Sequence, residues 1–214
     1  MPSALQLTRS GSVTLDTDLD QLRREFQTHH CVKLEALLAP ALLASIQRQI
    51  ERGTFHEFAH GSLATELRLA TGTGTGLLHL VVNDPTLFGL VERVSGCAHI
   101  RSFVGRVYRR ASGRGHFDGW HGDQTDPGRL VGMSINLSTE TYLGGVFEIR
   151  DVHTRRVLGS LANVGFGDAI LFRLSDDLEH RVGDVRGAFP KTAFAGWFLD
   201  HADPLDAIHR HRRA

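Results

Sequence analysis

The chain has 214 residues, of which 41% are hydrophobic and 22% are charged, as in an ordinary globular protein. Lysine plus arginine and aspartate plus glutamate both number 24, so no overall charge favours nucleic acid or an anionic membrane as a partner. Two cysteines are too few for a disulfide framework, and no run approaches the roughly 18 apolar residues of a membrane span. The N-terminus lacks the pattern of a signal peptide. We therefore expect a cytoplasmic protein that binds neither nucleic acid nor membrane.

The length fits a single domain, residues 1–214. We expect residues 1–99 to form a mainly helical N-terminal support, residues 100–199 to form the core, and residues 200–214 to be a basic tail. The division follows a change at about residue 100, where helical periodicity gives way to short alternating segments between turn residues. Helices followed by strands predict an α+β chain whose C-terminal half is a sandwich or barrel.

The N-terminal half carries several signals for the start of a helix. Asp16 or Asp18 can cap a helix that runs to about His29, and His30 belongs to its C-terminal cap. Pro40 fits the first position of a second helix. The residues before the first helix are expected to be a loosely attached lead-in. The other predicted elements are short strands at 12–15 and 31–34, one or two strands within 55–68, a flexible loop at 71–76, and helices at 41–52, 77–82 and 85–94, the last capped by Asp84.

The C-terminal half alternates apolar and polar residues. It predicts strands at 100–110, 130–137, 146–150, 157–161, 169–173, 180–182 and 192–199. The glycine pair at 144–145 indicates a turn or a close backbone approach. Arg106, Arg109 and Arg110 could bind an anionic substrate or peptide, or could form a solvated strand face. Trp197 lies on an apolar strand and is expected in the core.

Two histidines, an aspartate and a lysine carry the chemistry. His121 and Asp123 are two residues apart, so their side chains point to the same side of an extended segment. His180 follows much later, and Lys191 opens the last predicted strand. Two imidazoles and one carboxylate on one face of a metal suit the Fe(II) of non-haem oxygenases. If the strands of His180 and Lys191 are antiparallel neighbours, the amine can meet the distal carboxylate of a 2-oxo acid at the metal.

The ordered motifs resemble the Fe(II)- and 2-oxoglutarate-dependent dioxygenases of the prolyl-4-hydroxylase-like type. The matching segments, within about residues 100–199, are in order Tyr108, His121-x-Asp123, Arg129, 134–138, 144–148, 167–172, 180–182, Lys191 and 196–198. The resemblance implies a double-stranded β-helix (jelly-roll, cupin-like) core braced by the N-terminal helices. It also implies that His121, Asp123 and His180 bind iron and form the catalytic centre.

The same resemblance implies the co-substrates 2-oxoglutarate and O₂. Lys191 would pair with the distal carboxylate of 2-oxoglutarate, although an arginine is more frequent at this position of the family. Tyr108 and Asn136 match positions that often form hydrogen bonds with the co-substrate. Tyr108 lies farther ahead of His121 than is usual in the family.

A second pair with the same spacing, His116 and Asp118, competes for the metal. We prefer His121 and Asp123 because their distances along the chain to Arg129 and to the segments after it fit the family pattern better. His116 and Asp118 would then line the pocket mouth, help to bind substrate, or form a plain turn. Each histidine taken alone could be a core residue satisfied by hydrogen bonds.

The expected activity is hydroxylation of an unactivated C–H bond of a small molecule or a peptidyl residue, with release of succinate and CO₂. Halogenation is disfavoured because Asp123 is present. One alternative is a non-catalytic or sensing binding module of the same fold. Another is a cupin-type metalloenzyme that does not use 2-oxoglutarate, which would leave Lys191 without a role. The sequence ranks neither substrate class above the other and leaves the oligomeric state open.

Overall fold

The computed structural model describes residues 4–15, 18–62, 64–70, 72–124, 126–162 and 164–202. Its helices are α1 (Leu19–His29), α2 (Pro40–Glu51), α3 (Thr73–Val82) and α4 (Pro85–Ser95). The strands that precede residue 100 are β1 (Leu5–Thr8), β2 (Gly11–Thr14), β3 (Cys31–Leu34), β4 (Phe55–Ala59) and β5 (Ala64–Leu69). The later strands are β6 (Ser102–Arg110), β7 (Phe117–Asp118), β8 (Arg129–Asn136), β9 (Leu143–Gly144), β10 (Phe147–Asp151), β11 (Val157–Leu161), β12 (Ala169–Arg173), β13 (Leu178–Val182), β14 (Val185–Arg186) and β15 (Lys191–Leu199). None of the helices in the described ranges is long and apolar enough to cross a membrane.

The predicted helix ends are confirmed where the structure describes them. The side chains of Asp18 and Asp84 each accept a backbone N–H from the first turn of α1 and α4. Asp16 lies outside the described residues. Pro40 occupies the first turn of α2, and His30 ends α1 with a left-handed φ of 58°. Residues 203–214 of the predicted basic tail also lie outside the described residues.

Two predictions for the N-terminal half are wrong. The predicted loop at 71–76 contains the first turns of α3, which begins at Thr73. At Gly74 a Cβ would lie 3.1 Å from Cβ of Gln49, so the missing side chain lets α3 approach α2 closely. The lead-in also holds β1, whose residues Leu5 and Leu7 are buried in the main core. In both segments, tertiary packing thus stabilises a regular element whose residues have a low intrinsic propensity to form it.

The major sheet is antiparallel, with the strand order β3-β12-β8-β15-β6-β5-β4, and β7 pairs with β5. The minor sheet has the order β11-β10-β13, and β9 pairs with β14. The helices cover one face of the major sheet, where Phe194 and Phe198 of β15 share a core with Leu42 of α2 and Leu78 of α3. This is the predicted double-stranded β-helix braced by helices. Three strands from before residue 100 extend its major sheet.

The strands of His180 and Lys191 are not antiparallel neighbours, so the condition under which Lys191 was expected beside His180 is not met. β15 pairs with β6 and β8, whereas β13, which carries His180, pairs with β10 in the minor sheet. In a jelly roll, strands that follow one another in sequence can enter opposite sheets, so adjacency in sequence does not give adjacency in a sheet. Lys191 therefore approaches the interior from the sheet opposite His180.

Candidate metal centre

A backbone bridge holds the two histidines together. The N–H of His121 donates to the carbonyl of His180 at 3.1 Å, and the N–H of His180 donates back to His121 at 2.9 Å. Nε2 of His121 lies 3.9 Å from Oδ1 of Asp123, and Nε2 of His180 lies 3.5 Å from Oδ2. One ligand atom from each residue lies within 4.8 Å of the others. The structure therefore brings together the three side chains that the sequence motifs selected.

Neighbouring groups orient two of these side chains. Nδ1 of His121 lies 2.8 Å from the carbonyl oxygen of Gly119, which can only accept, so in the neutral ring Nδ1 carries the proton. Nε2 is then free to ligate a metal. Oδ2 of Asp123 accepts the indole N–H of Trp197 at 2.7 Å. Trp197, expected in the core, instead lines the cavity and fixes the carboxylate.

His180 is buried between Phe147 and Phe172, whose rings lie 5.7 and 4.6 Å from the imidazole. Burial, and next the proximity of His121, lower the pKa of His180 to about 4, while Asp123 acts in the opposite direction. The ring is therefore neutral at physiological pH. A neutral imidazole has the free lone pair that a metal ligand needs.

The competing pair has other partners. Oδ2 of Asp118 accepts the backbone N–H of Val182 at 2.8 Å and lies 3.0 Å from Nη1 of Arg110. Nδ1 of His116 accepts the N–H of Ala111 at 3.0 Å. Asp118 thus connects β7 to the strand that carries His180. These contacts favour a supporting role for Asp118 and leave Asp123 to face the two histidines.

Two buried cations lie side by side in the interior. Lys191 is 1% exposed, and within the described residues its side chain makes one hydrogen bond, which Nζ donates to the carbonyl of Gly145 at 2.9 Å. Arg110, 5% exposed, is its direct cross-strand partner on β6. Burial, and next the charge of Arg110, lower the pKa of Lys191 to about 7, and Asp118 opposes this. Like charges placed opposite one another destabilise a sheet unless another group compensates them.

The guanidinium of Arg110 is only partly satisfied. Nη2 donates to Oε2 of Glu66 at 3.2 Å. Among the described residues, its buried Nε and Nη1 have no hydrogen-bond partner. Nη1 lies close to Asp118, but the two groups are misaligned for a hydrogen bond. The unpaired donors of Arg110, beside the second cation Lys191, are suited to bind one carboxylate group of a dicarboxylate. The sequence did not single out Arg110 for this role.

The two residues expected to assist the co-substrate differ in placement. Tyr108 is buried and lines the cavity beside the three candidate metal ligands, with the guanidinium of Arg110 4.9 Å from its ring. Asn136 has its amide group in backbone contacts. Its Nδ2 donates to the carbonyl of Gly165 at 3.0 Å and its Oδ1 accepts the N–H of Ser138 at 3.1 Å. The structure thus brings Tyr108, but not Asn136, to the cavity wall.

A buried carboxylate, that of Glu66, forms part of the cavity wall. Glu66 of β5 is 0% exposed and lies between three arginines. Its Oε1 accepts from Nε of Arg68 at 3.0 Å and from Nε of Arg106 at 3.2 Å, and its Oε2 accepts from Arg110. The arginines lower the pKa of Glu66 although burial acts to raise it. Glu66 lies outside the motif-bearing segment, and no sequence motif indicated a role for it.

Known proteins match this chain through structure and not through sequence. No family model and no curated protein matches it. A 2OG-Fe(II) oxygenase family oxidoreductase from Burkholderia pseudomallei superposes with a TM-score of 0.68 at 16% identity, covering 87% of this chain and 93% of its own. A Pseudomonas putida prolyl-4-hydroxylase has a TM-score of 0.63 at 14% identity, covering 86% of this chain and 100% of its own.

A third similar structure is a prolyl hydroxylase from Trichoplax adhaerens, solved with a peptide fragment of a hypoxia inducible factor. Its TM-score is 0.62 at 14% identity, and the match covers 85% of this chain and 89% of its own. The three superpositions cover 85–87% of this chain and 89–100% of each relative. The chain therefore has the jelly-roll fold of the 2-oxoglutarate- and Fe(II)-dependent oxygenases of the prolyl-4-hydroxylase type.

Proposed function

We propose that the protein is an Fe(II)- and 2-oxoglutarate-dependent dioxygenase. The observation that carries this proposal is one cavity lined by a His-Asp-His group and by the incompletely paired Arg110, with the buried Lys191 directly opposite Arg110 on the neighbouring strand. The first group has the donor set of a non-haem iron site, and the two cations have the charge to receive a dicarboxylate. The fold shared with known oxygenases supports the same conclusion.

In this proposal His121, Asp123 and His180 hold the iron, and Lys191 with Arg110 receives the distal carboxylate of 2-oxoglutarate. When bound, Fe(II) and 2-oxoglutarate supply O₂ activation: one oxygen atom enters a substrate C–H bond and the other enters succinate, with release of CO₂. The protein's own contribution is orientation. The backbone bridge fixes the two imidazoles, and the indole of Trp197 fixes the carboxylate of Asp123.

The substrate is a small molecule or a peptidyl residue, and hydroxylation is the expected outcome. The Trichoplax relative was solved with a peptide fragment, which supports a peptidyl residue as one of the two substrate classes. Residues of β5 and β6, among them Glu66 and Arg106, form part of the wall of the cavity that contains the candidate metal ligands. A substrate bound in this cavity would therefore lie beside arginine side chains.

Oxygen consumption tests the proposal against its two alternatives. Purified protein is loaded with Fe(II), and O₂ uptake and succinate are recorded with and without 2-oxoglutarate. We expect 2-oxoglutarate to stimulate O₂ uptake with matching formation of succinate. Iron-dependent O₂ uptake that does not change when 2-oxoglutarate is added would favour a cupin-type enzyme. No uptake with both compounds demonstrably bound would favour a binding module.

A further inference from the structure

The cavity holds more positive charge than the proposed metal and co-substrate use. Three arginines, Arg68, Arg106 and Arg110, line the cavity or contact Glu66, and Lys191 lies directly opposite Arg110. The carboxylates of this wall are Glu66 and Asp118. With Lys191 protonated, as a bound anion favours, these groups have two positive charges in excess. Fe(II) with Asp123 adds one more, and dianionic 2-oxoglutarate removes two. One positive charge is left without a counterion in the loaded cavity.

Among these cations, Arg106 is the one whose positive charge we expect to lack a counterion. Its Nε donates to Oε1 of Glu66 at 3.2 Å, and its terminal nitrogens have no partner among the described residues. The side chain is 33% exposed, whereas that of Arg110 is 6% exposed. Arg106 thus lines the cavity with its terminal donors unpaired, while Glu66 holds its Nε in place.

Arg106 also lies beside the candidate metal centre. Its guanidinium is 5.8 Å from the ring centroid of Trp197, and that indole donates to the candidate ligand Asp123. Arg106 and Trp197 both line the cavity that contains the metal ligands. A group bound by Arg106 would therefore place the rest of its molecule next to the metal.

We propose that Arg106 binds a carboxylate of the substrate and thereby positions a neighbouring C–H bond at the metal. This inference rests on the proposed function and adds a substrate class to it: carboxylate-bearing compounds. A planar guanidinium with two free terminal nitrogens matches the two oxygens of a carboxylate. Glu66 supports the arrangement by fixing the arginine in advance of binding.

The test uses protein loaded with Mn(II), which is paramagnetic and stands for Fe(II), and saturated with 2-oxoglutarate. Relaxation of probe protons by Mn(II) reports binding near the metal without any turnover. The probes are hexanoate and its uncharged counterpart hexanamide. An acidic tripeptide, acetyl-Gly-Glu-Gly-amide, and its Gln counterpart distinguish a peptide source of the carboxylate from a small-molecule source.

We expect at least one acid to bind about tenfold or more tightly than its amide, because charge-assisted bonds exceed neutral ones. Arg106→Gln should abolish this preference, and Arg106→Lys, which keeps the charge but not the fork, should retain part of it. Arg101→Gln, at an exposed arginine just before β6, should change nothing.

The acid preference of the unmodified protein is itself decisive. Equal binding of acids and amides, binding of neither acid, or an acid preference that survives in folded Arg106→Gln would overturn the assignment. Binding of 2-oxoglutarate to the same Mn(II)-loaded sample is measured first. If 2-oxoglutarate does not bind, the proposed function fails; if it binds and the acids do not, only the role of Arg106 fails.

Discussion

Lys191 and Arg110 are the pair of residues on which the co-substrate assignment depends. They face each other across β15 and β6 with little exposure to water, which is costly for two cations unless an anion joins them. The carbonyl of Gly145 satisfies part of Lys191, and the carboxylates of Glu66 and Asp118 satisfy part of Arg110. The remaining donors are therefore available for a dicarboxylate.

The lowered pKa of Lys191 gives 2-oxoglutarate binding a defined pH dependence. Since this pKa is about 7, the amine of the free protein is mostly neutral at pH 8 and mostly charged at pH 6. An anion raises the pKa again, so binding at pH 8 should take up as much as one proton, and binding at pH 6 should take up almost none. Calorimetry of Mn(II)-loaded protein in buffers of different ionisation enthalpy measures this uptake.

Lys191→Arg is the matched control, because a guanidinium stays charged at both values of pH. It should bind 2-oxoglutarate without proton uptake at pH 8. The same uptake in Lys191→Arg as in the unmodified protein would show that another group is the source. Absence of uptake in the unmodified protein would contradict the role of Lys191.

Substitution of Asp123 and substitution of Asp118 should have different effects on activity and stability. Asp123→Ala removes a proposed iron ligand and should abolish 2-oxoglutarate-dependent O₂ uptake. Asp118→Ala leaves the proposed ligands in place but removes the partner of the Val182 N–H and of Arg110, so it should lower stability by about 1–3 kcal/mol and retain iron binding. Iron binding and urea unfolding of both variants check this. Full activity of Asp123→Ala together with an inactive Asp118→Ala would show that Asp118, and not Asp123, is the iron ligand.

The connection between β9 and β10 shows how an element positions a charge. Gly144 and Gly145 have φ values of +71° and +62°, in the left-handed region that favours glycine. A Cβ at Gly144 would lie 2.1 Å from the carbonyl oxygen of Asp184, next to the β9–β14 pair. The predicted close backbone approach is confirmed, and it aims the Gly145 carbonyl at Lys191.

Gly144→Ala should therefore destabilise the protein by about 2 kcal/mol or more and weaken 2-oxoglutarate binding. Gly113→Ala is the matched control, because Gly113 has the same φ of +71° but open space around its Cα. The control should lose about 1 kcal/mol from backbone strain alone and keep its affinity. Urea unfolding and calorimetry measure both quantities. Equal losses in the two variants would contradict the steric argument.

Local sequence patterns predicted most elements but not their neighbours. All seven strands predicted after residue 100 are present, with ends shifted by two residues or fewer, because alternation and turn residues are local signals. The start of α3 is not predicted by local patterns, because Gly74 disfavours a helix by propensity but serves packing against α2. The neighbours of β15 could not be predicted, because sheet order depends on the whole chain.

At the scale of the molecule, the site joins groups from both sheets. The grouping of His121, Asp123 and His180 could be predicted from the spacing of the first two and the order in which His180 follows. The contacts of Trp197 and Glu66 could not be predicted, since each joins residues far apart in the sequence: Trp197 with Asp123, and Glu66 with Arg106. The fold creates them by pairing β5 with β6 and by bringing Asp123 to β15, and no single segment encodes them.

The central claim is that one chelate of Fe(II) and 2-oxoglutarate forms inside this jelly roll. Anaerobic titration of the protein with both compounds tests it most directly through the visible metal-to-ligand charge-transfer band of such a chelate. We predict that the band appears with the unmodified protein and is lost in His180→Ala. Iron that is demonstrably bound without the band, or a band that persists unchanged in His180→Ala, would contradict the account.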